Sequence, residues 1–428
     1  MVSLSIPQYG LQGFVPLPFS KSISNRQLIL GAHSGHPFTI QGLSEAEDTQ
    51  NLLHALRQIG YEIHEATNEW RLCPPTAFPP SAQLFVGEGG TTLRFLLPLL
   101  AHLPVTTQIE AAPSLRRRPL HPLLHSLIQS GAKIEPSSDV YPLKVVGNPD
   151  WRPQHLFIDS TLSSQFLSAL LLLAPHLATG STITELSLHP ATPAYRNMTH
   201  QLLRDAGYDW QAREKIWYLR NKPFRQSLPL LVGEADWSAA SYFFGWAALG
   251  AFEGVLALSS ESLLPERELF TTLCWGYKVT PDFQGLKVSP THEKLAGIEC
   301  DIENYPDAVL VLAVVAAFAE SPSCFRGIQT LPHKESDRLY ALSTELNKVG
   351  ATLYTTGTDL IVEPVRKMPK KMPVLDSYGD HRVAMALSLI AARSAEPIRI
   401  READCVRKSF PHYWEVLRGL GAQVQETK

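Results

Sequence analysis

Six short segments, "LRQIGYEI", "LIQSGAKI", "LRDAGYDW", "TLCWGYKV", "LNKVGATL" and "LRGLGAQV", share one form: a helical end, a glycine, then a strand-like beginning. Their glycines are Gly60, Gly131, Gly207, Gly276, Gly350 and Gly421, spaced 69 to 76 residues apart. Leucine stands four residues before the glycine in five of them, and Thr272 takes that place in the sixth. Glycine just past a helix is the usual left-handed terminator, because it lacks the Cβ that would clash there. Any α/β protein has joints of this kind, but even spacing along a whole chain marks an internal repeat. We read six similar α/β units. A chain of 428 residues exceeds what one hydrophobic core usually organises, so two domains of three units each are expected.

A second regularity accompanies the first. Short stretches of Ser, Gly, Thr, Asp or Lys open directly into apolar helices: "SKSISNRQLIL", "GEGGTTLRFLLPLLAHL", "STLSSQFLSALLLLAP", "EADWSAASYFFGWAALG", "YPDAVLVLAVVAAFA" and "YGDHRVAMALSLIAARSA". Helices apolar on most faces are buried helices. The first turn of each leaves unpaired N–H groups and a partial positive charge, so each end is a potential anion seat.

Such seats have to be local, because nothing global recruits an anion. The chain is 44% hydrophobic and 18% charged with a formal net charge of -3, which argues against nucleic acid and membrane as partners. Five cysteines (Cys73, Cys274, Cys300, Cys324, Cys405) are scattered, odd in number and without C-x-x-C spacing. That pattern fits neither a disulfide framework nor a cysteine zinc site, and a reducing, cytoplasmic setting is expected. "MVSLSIPQYG" lacks the pattern of a signal or transit peptide. The longest apolar run, Val309 to Ala319, falls short of the ~20 residues of a membrane-spanning helix.

Charged residues gather at the helix starts. In "SKSISNR" the serines can cap the helix and bond phosphate oxygens, while Lys21 and Arg26 add full charges; the blander alternative is a solvated helix start. "APSLRRRPLHPLL" sets Arg116, Arg117 and Arg118 before Pro119, which suits the first position of a helix. Without aromatic interleaving the triple arginine does not point to nucleic acid. "HKESDRLYAL" brings Lys334, Glu335, Asp337 and Arg338 together, "YGDHRVAMA" contributes Asp380, His381 and Arg382, and "CVRKSFPHYW" Arg407 and Lys408. Asp307, alone at the edge of the most apolar helix, reads either as an N-terminal cap or as a proton acceptor held among cations. No His-x-x-x-His or multi-carboxylate pattern suggests a metal.

Taken in order, these stretches resemble the EPSP synthases, which transfer the enolpyruvyl group of phosphoenolpyruvate (PEP) to shikimate 3-phosphate. "SKSISNR" is similar to that family's Ser-Lys-Ser-x-x-Asn-Arg signature and "GEGGTTLR" to its glycine-rich loop, and "LRRRPL", "SSQFLSALL", "YPDA", "KESDRL", "GDHRVAMA" and "KSFPHYW" follow in sequence. The resemblance implies an α/β (α+β) fold: two similar domains, each of three βαβαββ units around buried helices, the inside-out α/β barrel of the enolpyruvyl transferases. It further implies that the chain crosses twice, giving one domain of residues 1–20 plus 232–428 and another of 21–231, with the active site in the cleft between them.

The same resemblance implies the site residues. Lys21, Ser22, Arg26, Ser163, Ser164, Gln165, Thr192, Tyr195, Asp307 and Lys334 would contact shikimate 3-phosphate. Lys21, Gly90, Arg118, Gln165, Arg338, Arg382 and Lys408 would hold PEP, whose carboxylate and phosphate both suit arginine forks. Asp307 and Glu335 would carry the proton transfers, in an order the sequence leaves open, with Lys21 bridging the reacting centres. No metal or organic cofactor is implied, and a monomer is expected.

Four positions depart from the family pattern: Phe19 for a glycine, Glu88 for the asparagine of the glycine-rich loop, Phe95 for a proline, and Pro193 for a basic residue. Two other readings compete. The UDP-N-acetylglucosamine enolpyruvyl transferases are similar in fold and length, but they carry a reactive cysteine in the loop matching "LRRRPLHPLL", which has none here. A non-catalytic anion-binding relative has no reason to retain Lys21, Asp307, Glu335 and Arg338 together.

Overall fold

In a computed structural model of the chain, residues 1–137, 140–222, 228 and 230–427 are described. They divide into two compact units, one of Met1–Pro18 with Ala235–Lys428 and one of Phe19–Glu234. In chain order the helices are α1 (Lys21–Ser34), α2 (Glu47–Gln58), α3 (Gly90–His102), α4 (Pro113–Arg116), α5 (His121–Gln129), α6 (Ser164–Leu171) and α7 (Pro193–Asp205) in the continuous unit. The discontinuous unit holds α8 (Trp237–Ala248), α9 (Glu266–Leu273), α10 (Val309–Ala316), α11 (Arg338–Lys348), α12 (His381–Ser388) and α13 (Tyr413–Gly419). None of the described helices is long and apolar enough to cross a membrane.

Among the described residues, six four-stranded sheets, three in each unit, repeat one topology. In the sheet built from Ser81–Phe85, Thr106–Glu110, Lys133–Ser137 and Val140–Val146, the first two strands run parallel across α3 and the last two close antiparallel. This is βαβαββ. The same order recurs around α6 and α7, and around α10 and α11. Where the chain passes between units the repeat is completed from afar. Leu11–Val15 pairs parallel with Phe252–Leu256, so residues 19–234 are an insertion between that strand and α8. Leu231–Val232 returns to pair parallel with Phe38–Gln41, supplying the first strand of the unit that α1 begins. Val2–Ser5 likewise joins Gln423–Glu426 at the opposite end of the sequence.

The six repeated glycines follow α2, α5, α7, α9, α11 and α13, all with positive φ, from 78° at Gly276 to 106° at Gly60. Five of these ends are Schellman motifs: the N–H after the glycine donates to the carbonyl of the leucine four before it, as in Tyr61 to Leu56 at 3.0 Å and Tyr208 to Leu203 at 2.8 Å. The repeated leucine is thus the third residue from the helix end, and its side chain is buried at Leu56, Leu127, Leu203, Leu346 and Leu417. At the sixth joint, where Thr272 replaces leucine, Cys274 takes the left-handed conformation at the helix end instead, with φ 40°.

Each unit is filled by three helices. In the continuous unit α3 lies between α1 and α6, and every residue of α3 is buried. The three run parallel, since both of their ends are tied. At the start, Asn25 Nδ2 donates to Thr91 Oγ1 at 2.9 Å and Arg94 Nη1 to Gln165 Oε1 at 2.7 Å. At the far end, the rings of His33, His102 and His176 meet, the last two stacked with centroids 3.5 Å apart. The corresponding helices of the other unit are α8, α10 and α12, with α10 packed against both others and buried throughout.

Candidate active site

In the continuous unit the N-terminal turns of α1, α3 and α6 carry the polar groups. Ser20 caps α1 by accepting from Ile23 N, and no acid lies in its first turn. Lys21, the first helical residue, is mostly buried and pairs with Asp48 Oδ2 at 2.9 Å. Asp48 sits in the first turn of α2, so the acid gains from that dipole while fixing the lysine. Asn25 accepts from Thr49 Oγ1 at 2.9 Å as it donates to Thr91, sewing three helix starts into one surface.

Arg26 is buried and its donors are spent on its own unit: Nε on Thr199 Oγ1 (2.7 Å), Nη1 on Ser22 O (2.8 Å), and Nη2 on Ser168 Oγ and Tyr195 O (both 3.5 Å). Its guanidinium carbon lies 5.0 Å above the ring centroid of Phe95. Burial lowers its pKa to about 10, with Tyr195 opposing. Arg26 therefore ties Ser22 to Tyr195 from beneath. Ser163 caps α6, accepting from Gln165 N at 3.3 Å, which leaves Ser164 and Gln165 in its first turn. Thr192 takes the left-handed conformation (φ 44°) just before α7. The triple arginine resolves into unlike residues: Arg116 and Arg117 are exposed, whereas half-buried Arg118 lies against Gly90. Pro119 does not start a helix as expected; α4 begins at Pro113 and α5 at His121, and the Pro119 carbonyl instead accepts from Arg94 Nη2 at 2.7 Å.

In the discontinuous unit the groups gather at the starts of α10, α11 and α12. Asp337 caps α11 and Asp380 caps α12. Asp307 is not a cap, since no side chain caps α10. Its carboxylate accepts from Arg338 Nη1 at 2.6 Å and pairs with Arg382 Nη2 at 3.0 Å. Arg338 also donates to Glu335 Oε2 at 2.9 Å and to buried Asp380 Oδ2 at 2.9 Å. Burial alone would raise the Asp307 pKa, but Arg382, Arg338 and Lys334 outweigh it and hold the carboxyl well below its ordinary range. Burial would equally lower the Arg338 pKa, and Asp380, Asp307 and Glu335 reverse it. Lys408 donates to Gly379 O at 2.7 Å, beside Asp380, while Arg407 is exposed.

Two residues among these contacts escaped the sequence: Asp48 and Arg94, the partners of Lys21 and Gln165; Asp380 was named there, but not as the partner of Arg338. Asp48 lies in the acidic first turn of α2, which was the available signal; Arg94, the single charge of an apolar helix, was marked only by the glycine-rich start before it. Two departures from the family pattern are accommodated by their neighbours. A Cβ on Gly42 would fall 2.4 Å from the Phe19 ring, so this glycine makes room for the large residue, whereas one on Gly233 would first meet the Gly42 carbonyl oxygen at 1.7 Å. Phe95 supplies the face under Arg26. Pro193 is the first residue of α7.

The described residues contain no group of three or more His, Cys, Asp or Glu that could hold a metal ion. Among solved structures, the EPSP synthase of Acinetobacter baumannii superposes with a TM-score of 0.77 at 22% identity, covering 99% of both chains. An enolpyruvyl transferase of Streptomyces tendae gives 0.76 at 18%, covering 100% of this chain and 99% of that one. The fold is that of the enolpyruvyl transferases. Curated relatives are more similar in sequence: the 3-phosphoshikimate 1-carboxyvinyltransferase of Dehalococcoides mccartyi is 33% identical over 417 residues, 96% of each chain. The enzyme of the same name from Escherichia coli is 31% identical over 436 residues, 97% of this chain and 98% of that one. With a sequence model of the EPSP synthases (3-phosphoshikimate 1-carboxyvinyltransferases) matching residues 7–417, the chain belongs to that family.

Proposed function

We infer that the chain transfers the enolpyruvyl group of PEP to the 5-hydroxyl of shikimate 3-phosphate, releasing phosphate. The two compact units would serve as the two enolpyruvyl transferase domains. Ser22, Ser163, Ser164, Gln165, Thr192 and Tyr195, with Arg26 bracing two of them, form the seat proposed for shikimate 3-phosphate, to which Lys334 and Asp307 are added. Lys21, Gly90, Arg118, Gln165, Arg338, Arg382 and Lys408 form the seat proposed for PEP.

The chemistry is addition then elimination. The hydroxyl oxygen bonds to C2 of PEP, its proton passes to an enzyme base, and C3 gains a proton. In the second step the C2–O bond to phosphate breaks and C3 returns a proton, restoring the double bond. Asp307 and Glu335 are the acids assigned to these transfers, and the cations stabilise charge growing on the leaving phosphate. The observation that carries the reading is the bridging of Asp307 by Arg338 and Arg382, a proton-handling acid beside two anion-binding forks.

The reading extends to a monomer working in the cytoplasm. Free cysteines at Cys73, Cys274, Cys300, Cys324 and Cys405 support a reducing compartment. Mixing the purified chain with shikimate 3-phosphate and PEP and assaying released phosphate tests the function. Turnover that requires both substrates, and that does not occur with UDP-N-acetylglucosamine, is expected; a folded protein that releases no phosphate would overturn it.

A further inference from the structure

Arg338 is surrounded by carboxylates of two kinds. Its Nε donates to Asp380 Oδ2 (2.9 Å), its Nη1 to Asp307 Oδ1 (2.6 Å), and its Nη2 to Glu335 Oε2 (2.9 Å) and Asp380 Oδ1 (3.5 Å). The arginine side chain is only 1% exposed, so an anion reaching its fork must take the place of a carboxylate already there. The three acids differ in exposure. The Asp380 side chain is 0% exposed, against 16% for Asp307 and 18% for Glu335. Asp380 also accepts from Arg382 N at 2.9 Å as the cap of α12, and from Ser336 Oγ at 3.1 Å. Withdrawing it would uncap a helix and strand a buried charge. Asp307 and Glu335 keep part of their side-chain surface open, and neither caps a helix, so withdrawing them uncaps nothing.

We propose that Arg338 is an anion-exchange centre: the carboxylate or phosphate of a bound substrate displaces Asp307 and Glu335 from it, while Asp380 remains as the positioning residue that holds the guanidinium. The proposal rests on the reading of the previous subsection, and it deepens it. The two displaced acids are those assigned to proton transfer, so the substrate that needs them also releases them. While Arg338 and Arg382 grip Asp307 its carboxyl stays far below its ordinary pKa and is a poor proton acceptor. Transfer of the arginines to the substrate's own anion restores its basicity. Charge is conserved in the exchange, because an incoming anion replaces outgoing ones at the same cations.

The test is PEP binding to the whole protein by isothermal titration at fixed salt, for the unaltered chain and for Asp307→Asn, Glu335→Gln and Asp380→Asn. Coulomb's law alone predicts that removing any of the three negative charges tightens anion binding. Exchange predicts opposite signs: Asp307→Asn and Glu335→Gln bind PEP at least about threefold more tightly, while Asp380→Asn, which lies in neither proposed seat, binds PEP about tenfold more weakly and keeps its affinity for shikimate 3-phosphate. Asparagine is as good a helix cap as aspartate, so α12 is kept, and Asp380→Ser repeats the experiment with a second capping residue. Weaker or unchanged PEP binding in both Asp307→Asn and Glu335→Gln overturns the exchange. Tighter binding in Asp380→Asn and Asp380→Ser overturns the positioning role. An unaltered protein that neither binds PEP nor releases phosphate overturns the functional reading itself, and this proposal with it.

Discussion

A Cβ placed on Gly90 would stand 2.9 Å from both Nη1 and Nη2 of Arg118. The first residue of α3 and the arginine are packed so closely that only a hydrogen fits between them. The obstacle is the end of a flexible side chain, so Gly90→Ala is accommodated by moving Arg118 rather than by unfolding. Melting temperature should stay within about 2 °C while, with Arg118 in the proposed PEP seat, the KM for PEP rises roughly tenfold or more. An unchanged KM would place Arg118 outside the PEP seat.

Arg26 joins the backbone carbonyls of Ser22 and Tyr195 and stacks on Phe95. Lysine keeps the charge but loses the planar fork and the stacking face, so Arg26→Lys is not conservative here. We expect a loss of roughly 1–3 kcal/mol in urea unfolding, with KM for shikimate 3-phosphate rising more than KM for PEP. Equal effects on both constants would mean that Arg26 supports the fold alone.

Glu88 precedes Gly89, the cap of α3, and is half-buried. A carboxylate there opposes an anion at the same helix start, so Glu88→Asn should leave KM for PEP unchanged or lower it. Steady-state kinetics decide the matter. A severe drop in kcat would instead give Glu88 a duty of its own.

The helix terminators were legible because the Schellman motif is local: a buried leucine, three residues and a glycine encode it wherever the chain goes. The one joint lacking leucine is also the one that closes differently, at Cys274. The charged residues of the site were legible by type but not by partner. Lys21 and Asp48 are 27 residues apart, Arg338 and Asp380 42, and Arg94 and Gln165 71, and only the side-by-side packing of helix starts brings them together. Asp307 shows the limit plainly. An acid two residues before a helix reads as a cap, and only the neighbouring arginines, from two other helices, claim it. The histidines that close the far end of the first bundle gave no signal at all, being single residues in unrelated stretches.

The terminators can be tested where space is not in question. A Cβ on Gly131 would meet nothing nearer than Trp151 Cδ1 at 3.9 Å, so Gly131→Ala changes only the backbone preference at φ 96°. The expected cost is about 1–2 kcal/mol in urea unfolding. Gly276→Ala adds steric conflict, since its Cβ would lie 2.6 Å from Leu295 Cδ2 and 3.0 Å from the Ala248 carbonyl. It should cost distinctly more than Gly131→Ala. Equal losses would mean that the α9 joint relaxes freely.

His33, His102 and His176 make the continuous unit sensitive to acid. His33 lies in the last turn of α1 and is buried, and neither ring nitrogen has a hydrogen-bond partner. Burial, with His102 nearby, lowers its pKa to about 3; burial also lowers that of His102, and for His176 burial with His33 and His102 does so strongly. A histidine depressed in the folded state stays neutral there while the unfolded chain takes up protons below its ordinary pKa of 6.5. Stability is therefore full above that pH and falls as the pH drops towards 3, by about 1.4 kcal/mol per pH unit from His33 alone. Carboxylates that titrate near 4 contribute little above pH 5, so urea unfolding between pH 7.5 and 5 isolates the histidines. The unaltered protein should lose stability steeply over that range, and His33→Gln less steeply, whatever its stability at pH 7.5. Parallel curves for the two proteins would show that His33 is protonated as readily inside the fold as outside it.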